Sequence, residues 1–306
     1  MKCRLTFASA LTSAMLTVLT ACGGGDGAKV SPSEIEQLRK DPRVVRLGGI
    51  IERASALVIP AAYYDFTVTA AGQTEHVFLP MSGSCRRTRC TLRGGGETIT
   101  TTLNDLLNPT SGVDVTGITL GSRQGFDTIH VTGHARLNEG FYDGSAIASL
   151  NAQSYGLWGR YGFAAADVLD GSFSGTSQGV SFKGNLRGAS SSTVGTPAGS
   201  NPAGFGGAFW SGPAEAISTR SWNRRSGMAT ITMADLSVPR VAVDVNIGGH
   251  SIGSSGWQSI WLHNGRFETG AAGIDRLIGD FHGPEHEEAY GAFDTGAFVG
   301  SFGARR

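Results

Sequence analysis

The chain is predicted to be mainly β and to end in a small eight-stranded antiparallel barrel, and three observations carry that expectation. Forty-six glycines, 40% hydrophobic and only 16% charged residues among 306 suit short strands joined by many turns, because glycine supplies the positive φ that hairpins and bulges require. The last hundred residues hold about eight short apolar runs, enough for a small closed barrel filled by its own side chains. The final stretch, from Gly279-Asp280-Phe281-His282-Gly283-Pro284 to Gly300-Ser301-Phe302-Gly303-Ala304, alternates aromatics with glycines, as closing strands with a tapering interior should. There is no sustained Gly-x-y period, and runs such as residues 241–245 are too strand-like for a disordered polymer. A formal net charge of zero supplies no bulk attraction for nucleic acid or anionic lipid.

The start reads as a targeting segment. Lys2 and Arg4 precede an apolar run over 5–18 that is too short to span a bilayer, so residues 1–21 are expected to be a signal peptide. Leu19-Thr20-Ala21-Cys22 matches a lipobox, which makes Cys22 the lipid attachment site and the new N-terminus; the alternative is a plain secretory signal with an incidental cysteine. Durable anchoring takes more than one acyl chain, and bacterial lipoproteins carry several, palmitate among them. Residues 22–32 form a Gly-rich tether. Gly23 stands where an inner-membrane retention signal would place Asp, which favours the outer membrane of a Gram-negative cell. Cleavage and acylation leave Cys85 and Cys90, and an even pair in an exported chain points to a disulfide stapling a short hairpin around Arg86, Arg87 and Arg89. Two thiols without a second pair do not make a structural zinc site.

Beyond the tether, Ser31-Pro32-Ser33-Glu34 is a helix-capping signal for a short helix through Arg39. Asp41-Pro42 starts a second helix with Val44, Val45, Leu47, Ile50 and Ile51 on its apolar face. Strands are expected over 65–69 and 75–79 around a hairpin at 70–73, then one helical turn over 103–107, then strands over 117–121, 127–135, 155–165 and 180–186. Residues 189–203, rich in Ser, Thr, Gly and Pro, read as a linker between a domain over 33–188 and the barrel over 204–306. Barrel strands are expected over 207–215, 228–236, 240–247, 257–262, 266–269, 277–281, 289–293 and 298–302.

The closing words of the chain, together with Ala229-Thr230-Ile231-Thr232-Met233, residues 241–245 and Tyr155-Gly156-Leu157-Trp158, resemble the transferrin-binding protein B family of bacterial surface lipoproteins. The resemblance implies one lobe, a handle-like β domain with short N-terminal helices followed by the barrel, where the full receptors have two. It implies a non-enzymatic protein that binds a protein ligand, an iron or metal carrier being one such ligand, through surface loops. It implies no cofactor and no ligand-contact residue that can be carried over. An adhesin or immune-evasion lipoprotein of the factor H binder type shares this barrel and is the alternative within binding proteins.

Four groups of residues invite a functional reading. Gly249-His250-Ser251-Ile252-Gly253 matches the nucleophile elbow of a serine hydrolase, the alternative from another class, and Gly175-Thr176-Ser177-Gln178-Gly179 is a second match. The elbow needs a following helix, and Ser254-Ser255-Gly256-Trp257 interrupts one. His282 and His286 with Glu285, Glu287 and Glu288 have metal-ligand chemistry, but Gly283-Pro284 prevents the helix that would align them, so a polar turn is expected and no metal. Arg86, Arg87 and Arg89 offer a basic loop for an acidic partner or a merely solvated one. Trp210, Trp222, Trp257 and Trp261 serve either as interface anchors or as barrel filling.

Overall fold

The computed structural model describes residues 30–94, 97–103, 113–141 and 143–306. The expected signal peptide, Cys22, most of the tether and residues 104–107 of the expected helical turn lie outside the described residues. Ser31 caps α1 (Pro32–Lys40) through a reciprocal capping box with Glu34, and Asp41 caps α2 (Pro42–Glu52). Val30, within the span expected as tether, already packs on the core. α2 buries Leu47 and Ile50. Val45, expected on that face, is 59% exposed, because two residues before Leu47 is about 200° around the helix.

Nine strands, β1 (Ala56–Ala70), β2 (Gln73–Arg86), β3 (Arg89–Gly94), β4 (Glu97–Thr102), β5 (Val113–Arg123), β6 (Phe126–Phe141), β7 (Gly144–Trp158), β8 (Gly162–Ser177) and β9 (Val180–Gly195), form an open antiparallel sheet ordered β4-β3-β2-β1-β9-β8-β7-β6-β5. Two-residue turns set its registers. Ala71-Gly72, Gln124-Gly125 and Gln178-Gly179 all have positive φ at both positions, the backbone twist that matches the flanking strands. Cys85 and Cys90 face each other across β2 and β3 and are joined by a disulfide, with Arg87 and Thr88 at the turn.

The strands are longer than the alternation of the sequence predicts. β1 runs back from 65 to Ala56 because residues 57–64 are buried on both faces, which removes the period-two signal. Pro60 sits within the register shift between Ile59 and Ala62, where the ladder tolerates a missing donor. Two expectations are corrected. The strand foreseen over 155–165 is two strands, broken at Gly159-Arg160-Tyr161. Residues 189–195, foreseen as linker, complete β9 and are buried throughout; the crossing to the barrel occupies 196–207. Small residues gather in β9 because the barrel lies against it.

The barrel is a closed ring of β10 (Ala208–Ser218), β11 (Arg224–Met233), β12 (Arg240–Ile247), β14 (Ile260–His263), β15 (Arg266–Thr269), β16 (Arg276–His282), β17 (Glu288–Asp294) and β18 (Phe298–Arg305), with a two-residue strand β13 (His250–Ser251) extending β12. These are the eight strands expected, with shifted ends. The strand foreseen from 257 starts at Ile260, because a 3-10 turn over Ser255–Gln258 swings Trp257 into the lumen, where its indole N–H donates to the Asp275 carbonyl at 2.6 Å. Phe267, Phe281, Phe293 and Phe302 fill the interior. They fit because glycines stand between them: a Cβ on Gly279 would lie 2.2 Å from Phe267 Cζ.

Most outward residues of β16, β17 and β18 do not face water. Asp280, His282, Glu288, Asp294 and Ser301 are buried, as is Tyr290, which packs with Phe126, Leu157 and Ala164 of the open sheet. Ala61, Ala166 and Ala189 take part in the same seam, opposite Val299 and Ile217. Small side chains let sheet and barrel approach closely. Polar clamps then set their register. The Glu288 carboxylate accepts from the backbone N–H groups of Arg160 and Tyr161 at 3.0 Å, from Tyr290 Oη at 2.8 Å and from Arg305 Nη2 at 3.0 Å. Tyr63 donates to Asp294 at 2.5 Å, and Arg123 donates to Glu215 at 2.9 Å. A Cβ on Gly159 would meet Glu288 Oε1 at 2.2 Å, so any side chain there displaces the carboxylate from its clamp.

Glu288→Ala is expected to lower unfolding free energy by about 3 kcal/mol, because two backbone donors and a guanidinium lose a buried acceptor together. Chemical denaturation of the two proteins measures it, and a difference under about 1 kcal/mol contradicts the clamp.

Candidate functional site

The barrel end beside the 196–207 crossing gathers exposed apolar side chains on segments bonded to one another. The Gly206 carbonyl accepts from Leu236 N–H, and the Pro239 carbonyl from Leu262 N–H, so the crossing, the β11–β12 loop and the start of β14 share one rim. Phe205 on the crossing is 99% exposed, and Trp261 on β14 is 49% exposed. Phe209 on β10 and Val238 in the β11–β12 loop are exposed as well. The outward row of the barrel links these elements: Phe209 pairs with Thr232, Thr232 with Ala242, and Arg240 with Trp261. The Arg240 guanidinium lies over the Trp261 ring, 4.0 Å from its centroid, a cation–π contact between neighbouring outward positions. Apolar side chains grouped on a rigid rim are the physical signature of a surface that another molecule covers.

The tryptophans divide. Trp210 and Trp257 lie fully buried in the lumen, Trp222 packs into the seam, and Trp261 alone of these four stands exposed. Arg86, Arg87 and Arg89 are exposed at the disulfide-stapled hairpin. The Arg86 charge acts on Asp280 of the barrel, opposing the upward push of burial on that carboxyl.

Both Gly-x-Ser-x-Gly matches are hairpins. Gly248 and Gly249 form the positive-φ turn between β12 and β13, and the Ser251 hydroxyl donates to Asp244 Oδ1 at 2.5 Å. Ser177 closes β8 before the Gln178-Gly179 turn. Neither serine sits on a strand-to-helix elbow.

His282 and His286 point to different neighbours. The His286 ring bonds the Ser200 carbonyl at 2.8 Å. His282 ends β16, buried against Tyr290 with Nδ1 unpartnered. Among the described residues no three His, Cys, Asp or Glu side chains converge as ligands. The turn at 283–287 matches the expected hairpin connection. What the sequence reading missed is that Glu288 and His282, on either side of it, are seam residues. The signal was present in the alternation: they occupy the outward register of strands whose inward register is Phe281 and Phe293.

Burial leaves a titration signature in this seam. It pushes the His282 imidazole down to about 4, against the pull of the nearby Glu288 charge. It pushes the Asp280 carboxyl up to about 6, although Arg266 Nη1 stands 3.7 Å away. On the other face of the open sheet, burial likewise pushes Asp167 up to about 6, with Ser154 and Ser190 beside it.

No protein-family model and no curated protein matches the chain. Among solved structures, transferrin-binding protein B from Haemophilus parasuis is 12% identical with a TM-score of 0.26, over 82% of this chain and 76% of that one. The isotype 1 protein from serogroup B Neisseria meningitidis is 11% identical with a TM-score of 0.27, over 83% and 77%. A protein of unknown function from Nostoc punctiforme is 11% identical with a TM-score of 0.23, over 80% and 95%. At these scores the likeness carries no argument about ligand or activity.

His282 makes a pH prediction whose sign is opposite to that of the two aspartates. Its folded pKa of about 4 lies below the ordinary 6.5, so the unfolded state binds the extra proton, and this contribution to stability is lost as pH falls from 6.5 toward 4, by about 3 kcal/mol in all. Asp280 and Asp167, raised from 3.8 to about 6, instead cost stability as pH rises through that window. Denaturation of wild type and His282→Gln between pH 4 and 7 isolates the histidine: the stability of wild type relative to the variant should decline on acidification. A pH-independent difference rejects the assignment.

Proposed function

We propose that this chain is a non-enzymatic lipoprotein, anchored in an outer membrane through Cys22, that binds a protein ligand at the barrel rim carrying Phe205, Phe209, Val238 and Trp261. The observation that carries the reading is the exposed aromatic rim on a barrel whose own interior is already filled. A filled lumen leaves the outer surface as the place where the barrel meets a ligand. Trp and Arg are the residue types that concentrate binding energy at protein interfaces, and the Arg240–Trp261 pair presents both. The lipobox supports the address, and the closing-strand resemblance supports the class of ligand. An iron- or metal-carrying protein falls within that class.

Cys22→Ser is expected to move the protein from the membrane fraction to the soluble fraction. Cross-linked capture from the organism's surroundings should recover a protein partner with wild type. Phe205→Ala with Trp261→Ala should weaken that partner by about 2 kcal/mol, roughly thirty-fold in Kd, with the thermal midpoint unchanged. Undiminished capture by the double variant, or an esterase turnover lost in Ser251→Ala, overturns the proposal.

A further inference from the structure

The open sheet has one face divided between two environments. Along β1 and β8, Tyr63 and Ala166 meet the barrel, whereas Asp65, Thr67, Asp170 and Ser172 on the same face lie beyond it and reach solvent. The uncovered half is organised in transverse rows. Asp65 pairs with Arg187, Arg187 with Asp170, Asp170 with Asn151, and Asn151 with His134, so that five strands present one planar polar side chain each. Two residues further along the strands a second row, Thr67, Asn185, Ser172 and Ser149, presents hydroxyls and an amide. Together the rows floor an open depression of about 580 Å³.

We propose that this depression binds an extended, uncharged carbohydrate chain lying across the strands. Three features select that chemistry. Donors and acceptors are mixed in every row, as a polyhydroxylated ligand demands of its site. Two carboxylates flank the single guanidinium, so an anionic polymer meets repulsion on both sides of it. Neighbouring strands lie about 4.8 Å apart, close to the repeat of one sugar unit, so each strand offers a polar group to successive residues of the chain. An apolar peptide has no counterpart on this floor.

Part of the site is held in place and part is free. His134 links Asn151 Oδ1 at 3.3 Å and Ser149 Oγ at 3.1 Å, which orders three side chains before a ligand arrives. Asp65, Arg187 and Asp170 stand opposite one another, yet their side chains make no ion pair or hydrogen bond with another described residue. Opposite charges placed directly across strands ordinarily pair. Here their polar groups remain available.

Saturation-transfer NMR with cellohexaose, chitohexaose and mannohexaose at millimolar concentration tests the assignment on the full folded chain, with a sulfated heparin hexasaccharide as the charged probe. At least one neutral hexaose should bind, and Asp170→Ala or Arg187→Ala should weaken it at least tenfold. Ser172→Trp, which fills the depression, should abolish it. All three positions are exposed, so thermal midpoints should hold. Phe205→Ala with Trp261→Ala should leave sugar binding unchanged, which separates this site from the barrel rim. Binding of none of the neutral hexaoses, binding of the sulfated probe alone, or binding indifferent to the three variants overturns the proposal.

Discussion

The carboxylate of Glu288 holds together two parts that the chain could otherwise place in many ways. It is the outward residue at the start of β17, and it accepts hydrogen bonds from the backbone of the turn between β7 and β8 while pairing with Arg305 of β18. One side chain thereby ties a hairpin of the open sheet to two closing strands of the barrel. Burying a carboxylate is costly unless its lone pairs are occupied, and here backbone, phenol and guanidinium occupy them. Asp294 with Tyr63, and Glu215 with Arg123, repeat the device elsewhere along the seam. A contact set by several such clamps is specific in register, whereas apolar burial alone permits sliding.

The two faces of the closing strands do different work. Inward, Phe281, Phe293 and Phe302 fill the lumen, and the glycines between them remove the Cβ atoms that would collide with these rings. Outward, the same strands carry the polar groups of the seam. Burial on both faces leaves the barrel little freedom to breathe, so the loops at its rim and the uncovered half of the open sheet are displayed on a rigid base. The exposed aromatic rim and the polar rows are chemically unlike. They lie on different elements, the first on the barrel and the second on β1 and β6–β9.

Much of the local structure was legible in the residues. Ser31 and Glu34 announce a capping box, Ala71-Gly72 a primed hairpin turn, and the Cys85–Cys90 pair a stapled hairpin. Each rests on interactions within a few residues, which sequence spacing encodes directly. The double burial of β1, β8 and β9 was not legible, because the signature of a half-exposed strand is alternation and a strand covered on both sides has none. Residues 189–195 were misread for the same reason. Their small side chains resemble a linker in composition, but their size answers to a barrel packed upon them. The site was less legible still. Of the tryptophans considered, Trp261 falls on the outward register of a barrel strand, whereas a 3-10 turn swings Trp257 into the lumen, and neither outcome shows in the residue's own neighbours.

Composition, turn chemistry and the aromatic–glycine alternation by themselves determined that this chain is mainly β, that it ends in an eight-stranded barrel, and where most of the strands lie. These properties depend on local backbone preference and on period-two patterning, and both are written in neighbouring residues. Only the tertiary structure decided which polar groups of the closing strands are buried, how the barrel seats on the open sheet, and which half of that sheet remains open. Those outcomes depend on residues more than a hundred positions apart, as Glu288 is from Arg160, and no local pattern records which distant surface will cover a side chain.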